Sequence, residues 1–195
     1  MADWSGYYAW GEGREVRPLL LRALELVEPG EAIDLGSGAG IETLALLERG
    51  WHVLAVDNEV ASAERLASRV PAELAPRLAV RTVAFEDLDA LPAADLVHAE
   101  FALPFCPPDA FERFWSVVTE CLRPGGVLAA QFFGDRDTWV GQYASSMTFH
   151  TRPEVDALLA GLEIVVVEEE ENDRPAFSGP KHWHLFHVLA RRPPS

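Results

Sequence analysis

The sequence is poor in basic residues, and only one of them, Lys181, is a lysine. Its 195 residues include 16 lysines and arginines against 31 aspartates and glutamates, a formal net charge of −15 at pH 7 with histidine neutral. Proteins that bind nucleic-acid backbones neutralise phosphates with a basic face, and no segment supplies one. Anionic membrane surfaces are disfavoured for the same reason. We therefore expect neither nucleic acid nor membrane as a partner.

Cysteines and long apolar runs are also scarce. The two cysteines, Cys106 and Cys121, have the spacing of neither a metal site nor a redox motif, so we expect reduced thiols. No apolar run approaches the roughly 20 residues that span a bilayer, and the first residues lack a basic stretch followed by an apolar one. These absences favour a cytoplasmic protein.

What the sequence does contain is enough apolar material for one core. Hydrophobic residues make up 49% of the chain and charged residues 24%, which excludes intrinsic disorder. We expect residues 1–195 to form a single domain, either a monomer or a homodimer. Within it, residues 1–28 form an aromatic lead and a first helix over 18–28.

Strand and helix patterns then alternate along the chain. Short apolar strands are predicted at 31–35, 51–56, 77–85, 95–100 and 127–133, with helices at 41–48, 59–69 and 107–122. Asp109 and Glu112 form a capping pattern at the start of the last of these helices. This alternation predicts an α/β fold with a parallel sheet covered by helices on both faces.

The C-terminal part breaks the alternation. Thr151 and Glu154 form a capping box that opens a helix reaching to about residue 160. Two strands follow at 163–171 and 182–190 with turn residues over 174–180, so this pair is predicted to be antiparallel.

A glycine-rich turn joins the first predicted strand to its helix. Glycines at 36, 38 and 40 place backbone N–H groups near a helix start, where a ligand can approach closely. The dinucleotide fingerprint G-x-G-x-x-G is not met, because Ile41 stands where its third glycine would be. Two acids accompany the turn: Asp34 two residues before it, and Asp57 at the end of the next strand.

With these residues in place, the sequence resembles the class I, Rossmann-like S-adenosylmethionine (SAM)-dependent methyltransferases. Five segments are similar to the motifs of that family, in its order and at its usual spacing: 32–40, 53–57, 85–92, 95–100 and 122–128. The resemblance implies a seven-stranded, mostly parallel sheet of order 3-2-1-4-5-7-6 with an antiparallel seventh strand. Small bacterial enzymes of the tellurite-resistance type are the nearest likeness within the family.

The resemblance also implies which residues hold SAM. Asp57, helped by Asn58, would accept the ribose hydroxyls, and Asp87 with the Leu88 N–H would match the adenine edge. Asp34 would orient the loop and reach the methionyl ammonium, and Arg14 would pair with the methionyl carboxylate. The full expected set is Arg14, Asp34, Gly36, Ser37, Gly38, Asp57, Asn58, Glu86, Asp87, Leu88, Ala99 and Glu100.

The acceptor side is less defined by the sequence. Methyl transfer from a sulfonium is an in-line displacement that needs positioning and exclusion of water, and a soft anionic acceptor needs no general base. Acceptor residues are expected from the aromatic lead, the end of the fourth strand and a lid or acceptor loop over 134–152. The candidates are Tyr8, Phe101, Phe105, Arg136 and His150.

Alternatives remain open at this point. The acidic charge and the absence of an Asn/Asp-Pro-Pro-aromatic motif after the fourth strand favour a small-molecule acceptor. A non-catalytic SAM-binding protein and an NAD(P)-dependent oxidoreductase are the rival functions. His182 and His184 share one face of a strand and could bind a metal, but no third ligand stands out, so no metal site is assigned.

Overall fold

The computed structural model describes residues 13–194, which fold around one seven-stranded sheet. Its strands are β1 Glu31–Leu35, β2 His52–Asp57, β3 Leu78–Thr82, β4 Ala94–Ala99, β5 Leu122–Phe133, β6 Glu163–Ala176 and β7 Gly179–Arg191. Their order is β3-β2-β1-β4-β5-β7-β6, with β7 antiparallel to both of its neighbours. The predicted α/β class and strand order are confirmed.

Helices cover both faces of this sheet. They are α1 Pro18–Leu24, α2 Ile41–Glu48, α3 Val60–Arg69, α4 Pro108–Glu120, α5 Val140–Tyr143 and α6 Arg152–Leu158. Three short 3₁₀ turns lie at Ala75–Arg77, Phe85–Asp87 and Leu103–Phe105. None of the described helices is both long and apolar enough to cross a membrane.

Alternation along the strands divides the core into two layers. In β1, Ile33 and Leu35 pack with α4 and α6, whereas Ala32 packs with α1 and α2. Successive side chains of a strand point to opposite faces, so a strand buried on both sides supplies both layers. Both cysteines are buried and free, and burial raises the pKa of each thiol to about 12.

Several predicted boundaries were wrong at the helix ends. Helix α1 ends at Leu24 rather than at residue 28, and α4 begins after Pro107, whose side chain makes no capping bond. The expected capping pattern of Asp109 and Glu112 is therefore incorrect, because Pro108 at the first helical position starts the helix instead. The capping box of α6 is confirmed: Thr151 accepts from the Glu154 N–H, and Glu154 accepts from the Thr151 N–H.

The strand lengths also differ from prediction. β3 ends at Thr82, because a 3₁₀ turn takes up Phe85–Asp87, and β5 begins at Leu122. The β6–β7 hairpin extends over most of the predicted turn, pairing Pro175 with Pro180 and Ala176 with Gly179. Proline is tolerated there since β6 is an edge strand and both prolines lie at the hairpin end.

Candidate functional site

The glycine-rich turn lies between β1 and α2 and is fastened to β2. The N–H groups of Gly36 and Ser37 both donate to the Val56 carbonyl, at 2.8 and 3.1 Å. Gly36 has φ of +72°, and a Cβ there would lie 2.6 Å from the Cβ of Ala102. Glycine is therefore required at position 36 both for the backbone conformation and for the close approach of the segment after β4.

Asp57, at the carboxyl end of β2, holds the far side of this turn. Its Oδ2 accepts from the Gly38 N–H at 2.7 Å and its Oδ1 from the Glu59 N–H at 3.0 Å. Burial raises the pKa of Asp57, and these two hydrogen bonds oppose that rise. The carboxylate thus faces the loop, while Asn58 beside it is exposed.

His98, which the sequence analysis did not single out, bridges Asp34 and Glu100. Nδ1 of His98 lies 2.8 Å from Asp34 Oδ1, and its Nε2 lies 3.2 Å from Glu100 Oε2. Thr43 donates to the other oxygen of Asp34 at 2.5 Å. Burial opposes a charge on His98, but the bonds to Asp34 and Glu100 raise its pKa to about 10. All three side chains are at least 96% buried.

Arg14 has a different partner from the methionyl carboxylate that was expected. Both of its terminal nitrogens bond the carboxylate of Glu42 at 2.5 Å, and the Arg17 N–H adds a third bond at 3.3 Å. Burial favours the neutral form of Glu42, yet the Arg14 guanidinium holds its pKa below the usual value. The pair fastens the segment before α1 to the first turn of α2.

The segment expected to recognise adenine forms the 3₁₀ turn after β3. Glu86 and Asp87 are exposed there, and Leu88 is buried. The Leu88 N–H, which was expected to face adenine, donates to the Phe85 carbonyl at 3.2 Å. The side chains of Glu86 and Asp87 are therefore the groups of this segment that stay open to a ligand in solvent.

Phe101 follows Glu100 and lies in a strained turn. Its φ of +55° is the one positive value outside glycine in residues 13–194, and its N–H donates to the buried Gln131 at 3.2 Å. The guanidinium of Arg17 lies 4.1 Å from the centre of the Phe101 ring. The backbone thus turns the ring away from β4 and toward an aromatic cluster.

This aromatic cluster lies at the ends of β4, β5 and β7. The ring of Phe101 packs edge-on against Phe133 and Trp183, at 6.0 and 5.6 Å between centres. Its other members are Phe105, Trp139, Met147, Phe149, Ala176 and Leu185. The candidates Phe101 and Phe105 are thus brought together, whereas Tyr8 lies outside the described residues.

A buried ion pair packs against two rings of this aromatic cluster. Lys181 and Asp137 form a salt bridge with side chains 1% and 0% exposed. The ammonium lies 4.2 Å from the ring centre of Trp139 and 4.1 Å from that of Trp183, so both rings contribute cation–π attraction. Asp137 also accepts from the Trp139 N–H at 2.9 Å, and so fixes the start of the loop after β5.

Arg136 lies on the other side of that loop. Its guanidinium bonds Glu169 at 2.6 Å and Glu171 at 2.8 Å on the exposed face of β6. Glu169, Glu171 and His184 have ligand atoms within 4.8 Å of one another, but Arg136 already bridges the two carboxylates. The group is an ion-pair network, and Arg136 contacts it rather than the aromatic cluster.

His150 is buried against α4. Its ring centre lies 4.7 Å from that of Phe111 and 5.4 Å from that of Phe132, and its Nδ1 has no hydrogen-bond partner among residues 13–194. Burial lowers the pKa of His150 to about 4. At neutral pH its ring is uncharged and packs among these aromatic side chains. It was expected on the acceptor side.

His98 and Glu42 are the site residues that sequence reasoning missed. A signal for His98 existed: the strand order places β1 beside β4, and His98 pairs directly with Asp34 in that register. No comparable signal existed for Glu42, because an acid in the first turn of a helix is common on exposed surfaces.

The comparisons with known proteins agree with this geometry. Residues 32–126 match the family model described as "Methyltransferase domain". Carboxy-S-adenosyl-L-methionine synthase of Yersinia enterocolitica is 33% identical over 132 residues, which cover 64% of this chain and 49% of that protein. The homologue from Enterobacter sp. is 29% identical over 137 residues, with 64% and 53% covered. The chain spans about half the length of these curated relatives.

Solved structures show the same fold. TehB from Haemophilus influenzae superimposes with a TM-score of 0.79 at 14% identity, covering 95% of this chain and 66% of that one. The 1,6-didemethyltoxoflavin-N1-methyltransferase of Burkholderia thailandensis, crystallised with S-adenosylhomocysteine, gives 0.69 at 24% identity, covering 96% and 82%.

Residues 32–126 therefore match a methyltransferase domain, and the chain has the class I, Rossmann-like fold. The resemblance to SAM-dependent methyltransferases is confirmed, with SAM as the cofactor of the class. Among solved structures, TehB is one that it resembles over nearly its whole length.

Proposed function

We propose that this protein transfers the methyl group of SAM to a small-molecule acceptor. The observation that carries the proposal is the glycine turn fastened to Asp57 beside the buried carboxylates of Asp34 and Glu100. These groups stand at the carboxyl ends of β1, β2 and β4, where the strand order reverses. Ligands of open α/β sheets bind in the crevice at such a reversal.

The residues at this crevice fit the chemistry of SAM. The ligand carries a sulfonium and an ammonium, and the buried carboxylates of Asp34 and Glu100 provide negative charge for that half of it. Its ribose offers two hydroxyl donors, which suit the carboxylate of Asp57. The glycine turn brings backbone close to the ligand between these acids without a Cβ in the way.

When bound, SAM supplies a methyl group already activated by the sulfonium. The work left to the chain is to position the two reactants and to exclude water. Asp57 orients the ribose, and Phe101 with its cluster forms an apolar wall beside Glu100. Aromatic faces near a sulfonium are favourable as they are for other cations.

The acceptor in this proposal is small and partly apolar. Among the described residues, the 134–152 segment contributes Trp139, Met147 and Phe149 to the aromatic cluster beside the crevice, which suits a small, partly apolar acceptor. We propose that residues 1–195 act as one domain with 134–152 as the acceptor loop. The same proposal places the protein in the cytoplasm, as a monomer or homodimer that does not bind nucleic acid.

Methyl transfer from labelled SAM tests the function directly. Purified protein is incubated with methyl-labelled SAM and a panel of thiols, chalcogen oxyanions and small amines, with the Asp57→Ala variant as the negative control. We expect label transfer to at least one acceptor by wild type, and less transfer by Asp57→Ala at SAM concentrations below saturation. Calorimetric SAM binding without any transfer would favour a non-catalytic SAM-binding protein, and binding of NADH in place of SAM would refute the proposal.

A further inference from the structure

His98 connects the two carboxylates that face the methionyl half of the proposed ligand. It lies on β4, opposite Asp34 of β1, and its other ring nitrogen reaches Glu100 just after the strand. The residue is 3% exposed, so solvent does not share these bonds. Neither the motifs nor the family resemblance gives this histidine a role.

The geometry favours a doubly protonated imidazole. A neutral imidazole donates from one nitrogen only, whereas here both nitrogens face an oxygen of a carboxylate. If both acids are ionised, both ring nitrogens must carry protons and the ring is a cation. Burial lowers the pKa of His98, whereas the hydrogen bonds to Asp34 and Glu100 and their negative charge raise it.

The cation in turn makes the two acids compatible with burial. Two carboxylates that share a buried site cannot both ionise without a positive group between them. The neighbouring charge on α2, Glu42, is already balanced by Arg14. Thr43 donates a hydroxyl to Asp34 but carries no charge, so His98 is the charge partner of Asp34 and Glu100 among residues 13–194.

We propose that His98 is a positioning residue that places a positive charge between Asp34 and Glu100 and orients both carboxylates toward the cationic methionyl half of SAM. This inference rests on the proposed function and deepens it. Asp34 uses both oxygens internally, to His98 and Thr43, whereas the described hydrogen bonds of Glu100 use Oε2 alone. Glu100 therefore retains one carboxylate oxygen for the ligand, and its bond to His98 orients that carboxylate.

A pair of ligands separates this role from simple support of the fold. SAM carries the methionyl half, whereas 5′-methylthioadenosine retains adenine and ribose and lacks the amino-acid part. In His98→Gln, one amide can donate to only one of the two carboxylates, and it carries no charge. We expect calorimetry to show SAM affinity at least about tenfold lower, roughly 1.4 kcal/mol, and methylthioadenosine affinity within about twofold of wild type.

The matched control is His182→Gln. Both ring nitrogens of His182 also face carboxylates, Asp173 at 2.8 Å and Glu171 at 3.1 Å, but this histidine is partly exposed on the β6–β7 hairpin. We expect this variant to bind both ligands like wild type. Equal losses of both ligands in His98→Gln would overturn the positioning role, and so would unchanged SAM affinity.

Nuclear magnetic resonance of the wild type keeps the inference testable if His98→Gln does not fold. With ¹⁵N-labelled histidine assigned through the backbone, we expect both ring nitrogens of His98 to remain protonated at pH 8. A neutral ring at that pH overturns the proposal. Wild type that binds neither ligand would refute the proposed function and this role together, even if the ring proves to be an imidazolium.

Discussion

The crevice at the centre of the sheet and the hairpin at its edge hold their carboxylates in opposite ways. In the crevice at β1 and β4, Asp34 and Glu100 are buried and share one cation, His98. On the edge hairpin, the side chains of Glu169 and Glu171 are 34% and 38% exposed and bond the half-exposed Arg136. Both regions are networks of short bonds, so bond length alone does not distinguish them.

The difference is what each charge would cost if its partner were removed. A buried charge without its partner is strongly destabilising, whereas most exposed pairs contribute little because water and salt screen them. Charges on an edge strand have another use, since they discourage pairing with a second sheet. We therefore assign ligand chemistry to the crevice and solubility to the hairpin.

The largest expected effect is at the buried pair below the aromatic cluster. Lys181→Met leaves the buried Asp137 without its cationic partner, so we expect a loss of roughly 3–5 kcal/mol in the free energy of unfolding. Chemical denaturation measures this loss. Combining Lys181→Met with Asp137→Asn also removes the carboxylate and should recover part of the stability. A loss below about 1 kcal/mol in Lys181→Met alone would contradict the high cost expected for a buried charge without its partner.

Two buried histidines show the effect of a charged partner, because their pKa values are shifted in opposite directions. Burial without a partner lowers the pKa of His150 to about 4, below its unfolded value near 6.5, so the unfolded state takes up the proton first. Stability from His150 is present above about pH 6.5 and is lost as the pH falls toward 4. The pKa of His98 is raised to about 10, so its contribution to stability is present below about pH 6.5 and is lost as the pH rises toward 10.

His150→Phe tests the acidic side of that pair. The variant keeps the ring between Phe111 and Phe132 and removes the unpartnered nitrogen. We expect the fall in unfolding free energy between pH 6.5 and 4 to shrink by on the order of 2 kcal/mol relative to wild type. Parallel curves for the two proteins in denaturant titrations would contradict this assignment.

Asp57→Ala probes the ligand role of the crevice. We expect SAM affinity to fall at least about tenfold, roughly 1.4 kcal/mol, because the ribose hydroxyls lose their acceptor. Asp95→Ala is the matched control: Asp95 lies at the opposite end of β4 and accepts from the Glu31 N–H at 2.8 Å. Calorimetry should show unchanged affinity there, and equal losses in both variants would remove Asp57 from the site.

The smallest expected effect is on the hairpin. In Arg136→Ala we expect no measurable change in the denaturation midpoint or in SAM affinity, since Arg136 is half exposed and bonds exposed acids. Salt titrations of the melting temperature should likewise coincide for variant and wild type. A clear loss of methyl transfer in this variant would move Arg136 back to the acceptor side, where the sequence analysis first placed it.

Much of the fold could be predicted because its signals are local. Alternating apolar strands and helices, the glycine turn after Asp34 and the capping box at Thr151 each lie within a few residues of one another. The acid at the end of β2 was found for the same reason, as it closes an apolar strand. Where two local signals competed, prediction failed: Pro108 rather than Asp109 and Glu112 determined the start of α4.

The charge pairs that define the crevice and the loop are tertiary. His98 and Asp34 are 64 residues apart, Lys181 and Asp137 are 44, and Arg14 and Glu42 are 28. No local pattern specifies such partners, because they depend on which strands become neighbours and which faces close over them. The sequence alone determined the class of fold and the position of the glycine turn. Only the tertiary structure decided which of the 31 acids are buried and which cations pair with them, since burial and pairing arise when distant segments pack together.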